Sequence, residues 1–118
     1  MEPQDTITIA PSVLLTIARH ATLQVDGVIR MGQTPVDVGR LVSGNPVGPG
    51  IALVIGNGTV KVDLYVVTQP GYNMLDISRE VQSAVKRSIT DLVGMEVTTV
   101  NVHIEDVAGD GEKPSLSR

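Results

Sequence analysis

Asp63, His103 and Glu105 are the residues whose types could together do chemistry. An imidazole beside two carboxylates can act as an acid/base pair or supply ligands to a metal ion. All three alternate with apolar residues in β-rich segments, so they share one sheet face if the strands that carry them are neighbours. The simpler interpretation, which we favour, is that alternating polar residues on an exposed sheet face only contact solvent.

Other catalytic and ligand-binding motifs are absent. The chain has no cysteine, which excludes thiol catalysis, disulfides and thiolate metal sites. Its glycines fit neither a phosphate-binding loop nor a nucleophile elbow. His20 and His103 lie on different segments, so a zinc site would need carboxylates as its other ligands. We favour an exposed helix position for His20, and packing or interface roles for Tyr65 and Tyr72. We therefore expect a protein that is not an enzyme, with no cofactor and no metal.

The composition limits the class of protein. The chain has 118 residues, 42% of them hydrophobic and 19% charged, which suits one globular domain with a single core. Its net charge is -4 and its aromatic residues are two tyrosines. It therefore lacks the basic surface and the aromatic platforms that hold nucleic acids. It has no signal peptide and no apolar run of about 20 residues, so we expect an intracellular protein without membrane insertion.

The first elements predicted by the sequence are two strands around a helix. Thr6–Ile9 alternates polar and apolar residues, which is the period of a half-buried strand. Pro11 suits the first turn of a helix, and an apolar stripe at helical spacing runs from Leu14 to Val25, which favours one amphipathic helix. Val28–Met31 then has the composition of a short strand.

A Gly/Pro-rich segment follows at residues 32–50. It contains five glycines and three prolines, which favours a long loop of the kind often used for binding. A short, weak helix over residues 36–42 that covers a sheet edge is the alternative.

The strongest local signal is a β-hairpin. Two aliphatic runs, 51–55 and 59–67, flank Asn57-Gly58, a dipeptide typical of a tight two-residue turn. A turn centred on this dipeptide makes one face of the hairpin wholly aliphatic. The predicted pairs on that face are Ile55 with Val60, Leu53 with Val62 and Ile51 with Leu64.

A second amphipathic helix and a last strand complete the pattern. The helix has Asn73 as its N-terminal cap and Gly94 at its end. Residues 96–105 alternate as a strand. Residues 108–118 contain too little apolar side chain to fold, and we expect this tail to stay mobile.

The order of these elements predicts an α/β fold. Two crossover helices and a mixed sheet of about five strands, in the order β-α-β-β-β-α-β, form a two-layer sandwich with both helices on one face. We expect a single domain over residues 1–107 with the 32–50 loop inside it. The other sheet face is left open, and the candidate interface on it consists of Ala52, Val54, Lys61, Asp63, Tyr65, Val67, Asn101, His103 and Glu105.

The apolar members of this interface suggest a reason for association. Ala52, Val54, Tyr65 and Val67 are expected to be uncovered, and uncovered apolar side chains gain by meeting a partner. The charged members would set the orientation of that partner more than the strength of binding.

The order of residues along the chain also resembles the alkaline shock protein family of bacterial envelope stress response proteins. The most specific matching segments are two strands separated by one helix, Val-Asp-Leu-Tyr at 62–65 and Val-Asn-Val-His-Ile at 100–104. With shorter matching runs on both sides, the resemblance covers about residues 5–107.

The resemblance implies a non-enzymatic protein of the bacterial cytoplasm that serves cell-envelope homeostasis and the stress response. Such a protein acts by self-association, as a homo-oligomer, and by partner binding. In some members a membrane-anchored protein partner holds it at the inner face of the membrane. The alternative is a small-molecule-binding or regulatory domain that uses the open sheet face or the Gly/Pro-rich loop.

Overall fold

A computed structural model describes residues 5–35 and 45–108 of the chain. Two helices and five strands lie in these residues. In chain order they are α1 (Pro11–Leu23), β1 (Val28–Met31), β2 (Val47–Gly48), β3 (Ile51–Ile55), β4 (Thr59–Thr68), α2 (Met74–Val93) and β5 (Glu96–Val107).

The strands form one mixed sheet with β4 at its centre. β1 and β3 both pair antiparallel with β4, at its C-terminal and N-terminal parts respectively, and β2 pairs with β3. β5 runs parallel to β4 along its other edge. The predicted fold class, an α/β sandwich with two helices and a five-stranded mixed sheet, is confirmed.

The predicted first strand is wrong. Residues 5–10 form neither strand nor helix, and 90% of the Ile7 side chain is exposed. The alternation of Thr6–Ile9 favours an extended backbone, but a strand also needs an edge to pair with, and within the described residues this segment pairs with no strand. The observed order is therefore α-β-β-β-β-α-β, with the two-residue β2 as the fifth strand.

The β3–β4 hairpin has the predicted register. Ile55 pairs with Val60, and the two predicted pairs that follow are also present. The Gly56 N–H donates to the Thr59 carbonyl at 2.9 Å, which leaves Asn57-Gly58 as the two-residue turn. Gly58 has a φ of +70°, a left-handed conformation that glycine adopts without steric cost.

One core lies between the two helices and one face of the sheet. On β4, this face carries Val60, Val62 and Leu64. They are fully buried and join a cluster with Ala18 of α1 and Val85 of α2. The capping of α2 is as predicted: the Asn73 side chain accepts a hydrogen bond from the Asp76 N–H, and Gly94 ends the helix with a φ of +83°. Both helices thus pack on the same face, which leaves the other face open.

The two stems of the Gly/Pro-rich segment are tied to the sheet. The Thr34 hydroxyl donates to the Gly48 carbonyl at 2.7 Å, and the Asn45 side chain accepts from the Ile55 N–H at 3.0 Å. The alternative helix at 36–42 lies outside the described residues, as does the predicted tail beyond Ala108.

Candidate functional site

The open face is organised around Tyr65, at the point where β1 and β3 meet along β4. The Gly32 N–H donates to the Tyr65 carbonyl at 2.6 Å, and the Tyr65 N–H donates to the Gly50 carbonyl at 2.8 Å. Gly50 has a φ of +76°, and a Cβ there would lie 2.9 Å from the Met31 Cβ and 2.9 Å from the Tyr65 carbonyl oxygen. Glycine at position 50 therefore lets the two loop stems meet at the middle of β4.

Asp63 and His103 come together on this face, as the sequence predicted for neighbouring strands. The parallel register places Asp63 opposite Asn101 and Tyr65 opposite His103. One oxygen of Asp63, Oδ1, accepts a hydrogen bond from the Asn101 side chain at 3.0 Å and lies 3.2 Å from His103 Nε2. The three side chains form a polar cluster that joins β4 to β5.

The His103 ring also covers Tyr65. The two rings are stacked, with 4.5 Å between centroids and 11° between planes. Burial raises the pKa of Tyr65 above its ordinary value, and the negative charges of Asp63 and Glu105 raise it further. The phenol therefore stays neutral to a higher pH than an unperturbed tyrosine does.

Glu105, the third residue of the predicted constellation, has a different partner. Its Oε1 accepts a hydrogen bond from the Gln33 N–H at 2.9 Å and lies against Gly32. Glu105 thus ties β5 to the loop stem. This contact joins residues far apart in the chain, and the sequence contains no signal that could have revealed it.

The candidate interface is less apolar than the sequence suggested. The exposed fraction is 1% for Ala52, 7% for Tyr65 and 4% for Val67, so the expectation that these side chains are uncovered is wrong. His103 stacks on Tyr65, and the 31–35 stem and Pro49 surround the groove beside Val67. Only Val54, at 39%, is an exposed apolar member.

The other members of the interface are polar and differ in exposure. Lys61, His103 and Glu105 are exposed, whereas Asp63 and Asn101 are half-buried. The outer surface of the open face is therefore mainly charged and polar.

A groove lies beside this cluster, where the loop stem meets the end of β5. Its volume is about 740 Å³. The lining includes Gln33, Thr34 and Pro49 on the loop side, and Glu105 and Asp106 on the sheet side. The groove thus joins the two features that the sequence suggested for small-molecule binding, the open face and the Gly/Pro-rich segment.

Asp63 and His103 link two neighbouring strands. In the described parts of the chain, Asp63 is the hydrogen-bond partner of the imidazole. Across residues 5–35 and 45–108, no group of three or more His, Asp or Glu side chains could hold a metal ion. The observed contact of the pair is a hydrogen bond between β4 and β5.

The remaining histidine and tyrosine lie elsewhere. His20 is exposed on α1, and Tyr72, 46% exposed, packs near Gly27. Among the helices that the structure describes, none is both long and apolar enough to cross a membrane.

Comparison with known proteins decides the family. A family model described as having cell envelope-related function matches residues 1–109. The chain belongs to the alkaline shock protein family. One relative in this family is an uncharacterized protein of Streptococcus pyogenes, Spy1535, which is 32% identical over 113 residues, covering 93% of this chain and 85% of the relative. The Bacillus subtilis protein YqhY, also uncharacterized, is 25% identical over 115 residues, with the same coverage. The predicted family resemblance is thus confirmed.

Solved structures support the family's α/β fold for this chain. A histidine-to-alanine variant of MamM CTD superposes with a TM-score of 0.51 at 11% identity, over 82% of this chain and 98% of the other. A MamM CTD variant described as a copper form gives 0.51 at 10% identity over the same shares. At such low identity the likeness concerns the fold alone.

Proposed function

We propose that this protein is a non-enzymatic interaction protein of the bacterial cytoplasm that serves cell-envelope homeostasis and the stress response. It acts by self-association and by binding a membrane-anchored protein partner, which holds it peripherally at the inner face of the membrane. The open sheet face is its contact surface.

The observation that carries this proposal is the family match over residues 1–109, with its cell envelope-related function. The geometry of the open face agrees with it. The Asp63 and His103 side chains bond to each other, and the His103 ring lies on Tyr65. Side chains that bond to and stack on one another stabilise the surface that a partner would contact.

The exposed side chains of the open face determine what binding there would look like. Val54 is the apolar contact, Lys61 sits directly across from it on β4, and His103 and Glu105 add polar groups at the other side. Charged groups at an interface favour orientation and rate more than affinity. Self-association through this face is therefore expected to depend on protein concentration and on salt.

Sedimentation across a concentration series tests the self-association. The wild type is expected to form oligomers as its concentration rises, and the Val54→Glu, Lys61→Glu double variant to remain smaller. Lys86→Glu, an exposed charge reversal on α2, is the matched control and should sediment like the wild type. A wild type that is monomeric at every concentration would contradict the proposal.

Replacing His103 separates an interaction role from a catalytic one. His103→Phe keeps an aromatic ring on Tyr65 but cannot transfer a proton. We expect it to restore envelope stress resistance to cells that lack the protein, as the wild type does. Loss of resistance with normal folding, normal oligomers and normal partner binding would point to chemistry at the imidazole.

The groove of about 740 Å³ supports a second candidate function, the binding of a small molecule. Its volume is in the range typical of ligand pockets. Native mass spectrometry of the protein purified from its own cells would then show a bound compound, which is reduced by Gln33→Ala or Asp106→Asn at the groove and retained by Lys86→Ala on α2. If the spectrum shows only the mass of the protein without a bound compound, the result supports the interaction role alone.

A further inference from the structure

One edge of β5 is free within the described residues. β4 pairs with the other edge along its whole length, and across residues 5–35 and 45–108 no second strand lies beside β5. The β4–β5 register slips near both ends, but Thr99–Ile104 keeps an unbroken register with Lys61–Val66. An edge strand offers N–H and C=O groups to any strand that approaches it. Thr99–Ile104 is thus a six-residue template for pairing, in which the Val100 carbonyl also accepts a hydrogen bond from the Gln82 side chain.

The segment formed by residues 5–10 has the properties of a strand without a partner. Its sequence alternates Thr and Ile, and the backbone at Ala10 is extended, with φ -64° and ψ 139°. The exposed fraction is 90% for Ile7 and 44% for Ile9. Within residues 5–35 and 45–108, both isoleucines therefore have apolar surface left for an added neighbour.

The two faces of this segment match the two faces of β5. On the helix side of β5, Val100 and Val102 pack with the core, while Asn101 and His103 lie on the open face. A strand added to this edge can place its isoleucines beside the valines and its threonines beside the polar residues.

An exposed leucine lies on the part of α2 that is above β5. The Gln82 side chain donates to the Val100 carbonyl at 3.0 Å, which sets the Gln82 stripe of α2 above β5. Leu75 lies two turns earlier on that stripe, and 56% of its side chain is exposed. An isoleucine added beside β5 would give Leu75 an apolar neighbour.

The segment of the same chain starts on the wrong side of the sheet. α1, which follows residue 10, packs against β1 and β3, whereas α2 packs against β5. β4 and α2 therefore lie between the start of α1 and the free edge of β5. A second copy can bring its segment to this edge without crossing the molecule.

We propose that residues 5–10 of a second copy add to the free edge of β5 as a sixth strand, and that the two copies exchange these segments reciprocally. Reciprocal exchange closes a two-fold dimer. The proposal rests on the self-association in the proposed function and gives it a structural basis.

Disulfide trapping between copies tests this pairing, because the chain has no cysteine of its own. Thr8→Cys and Asn101→Cys place thiols at the middle of each segment and on the same face. The two variants are purified separately, one with a size tag, and mixed under mild oxidation. The control mixture contains Thr8→Cys and Lys86→Cys, whose second thiol lies at an exposed position of α2. We expect the Thr8–Asn101 pair to form a mixed dimer at least about tenfold faster than the control, because pairing holds the two thiols at high effective concentration.

Equal rates in the two mixtures would overturn the strand exchange, as would a faster Asn101→Cys homodimer, which would indicate pairing of β5 with β5. Sedimentation of the full chain supplies a second measurement. Ile7→Asp, at a side chain that is exposed in the monomer, should weaken self-association about tenfold or more, whereas Leu92→Asp, at a leucine that is 69% exposed, should not. If the wild type self-associates but Ile7→Asp matches it, the exchange alone fails. If the wild type is monomeric, the proposed self-association fails as well.

Discussion

The N-terminal and C-terminal halves of β4 are equally buried on the helix side of the sheet and differ in burial on the open side. On the helix side, Val62 and Leu64 are equally and fully buried. On the open side, Lys61 is exposed and Asp63 half-buried, but Tyr65 and Val67 are buried. On the open side, the first half is exposed to solvent. The second half is covered by the His103 ring and flanked by the loop stem. Alternation along a strand therefore fixes the face of a residue, and contacts from distant segments decide whether that face is wet.

A buried charge gives the largest expected difference between the covered part and the exposed part of the open face. Val67→Glu places a carboxylate at a site that is 4% exposed, and it should lower the free energy of unfolding by about 4 kcal/mol. Val54→Glu, opposite Lys61 on the wet half, should change it by no more than about 0.5 kcal/mol. Urea unfolding of both variants checks the pair, and equal losses would show that the whole open face is covered.

Truncations should distinguish the helix side of β4 from the exposed part of its open side. Leu64→Ala removes a fully buried side chain and is expected to cost about 3 kcal/mol. Lys61→Ala, on the wet face, should stay within about 0.5 kcal/mol. Thermal or urea denaturation measures both, and a Lys61→Ala loss as large as that of Leu64→Ala would mean that the faces are assigned in reverse.

The two glycines beside Tyr65 should respond differently to alanine. Gly50→Ala meets main-chain atoms and a left-handed backbone, so we expect a loss of about 2 kcal/mol in unfolding free energy. Gly32→Ala meets the Glu105 carboxylate, an exposed group that can swing away, and should cost about 1 kcal/mol. Glu105→Ala should remove most of the Gly32→Ala penalty in a double-variant cycle. A penalty that persists without Glu105 would place the clash elsewhere.

The smallest predicted effect is a dependence on alkaline pH. Because the pKa of Tyr65 is raised above 10.0 by burial and by Asp63 and Glu105, the stability that this residue contributes is fully present below pH 10. It is lost as the pH rises through the raised value, since the folded state resists ionisation of the phenol. Tyr65→Phe should unfold with a flatter pH dependence above pH 10 than the wild type, and an identical slope would contradict the burial of the phenol.

Local sequence signals predicted the parts of the fold that depend on neighbouring residues. The Asn57-Gly58 turn set the hairpin register, and Asn73 and Gly94 marked both ends of α2. The convergence of Asp63 with His103 followed from alternation in two strands that turned out to be neighbours.

Other features depend on contacts that alternation does not encode. The strand pattern at Thr6–Ile9 says nothing about whether an edge is available, and no strand forms there. The burial of Val67 and Tyr65 requires a loop stem and a histidine from elsewhere in the chain. The Glu105–Gln33 hydrogen bond likewise joins two segments that only the complete fold brings together.

The most direct test of an interaction role asks what touches the open face in living cells. A photo-crosslinking amino acid at the position of Lys61 samples the wet half of β4, and the same group at the position of Lys86 samples an exposed site on α2. We predict that the Lys61 position crosslinks to a second copy of the chain and to a membrane-anchored protein, and that the Lys86 position gives neither product. Crosslinks that are absent at the Lys61 position, or equally abundant at both, would contradict the assignment of the open face as the contact surface.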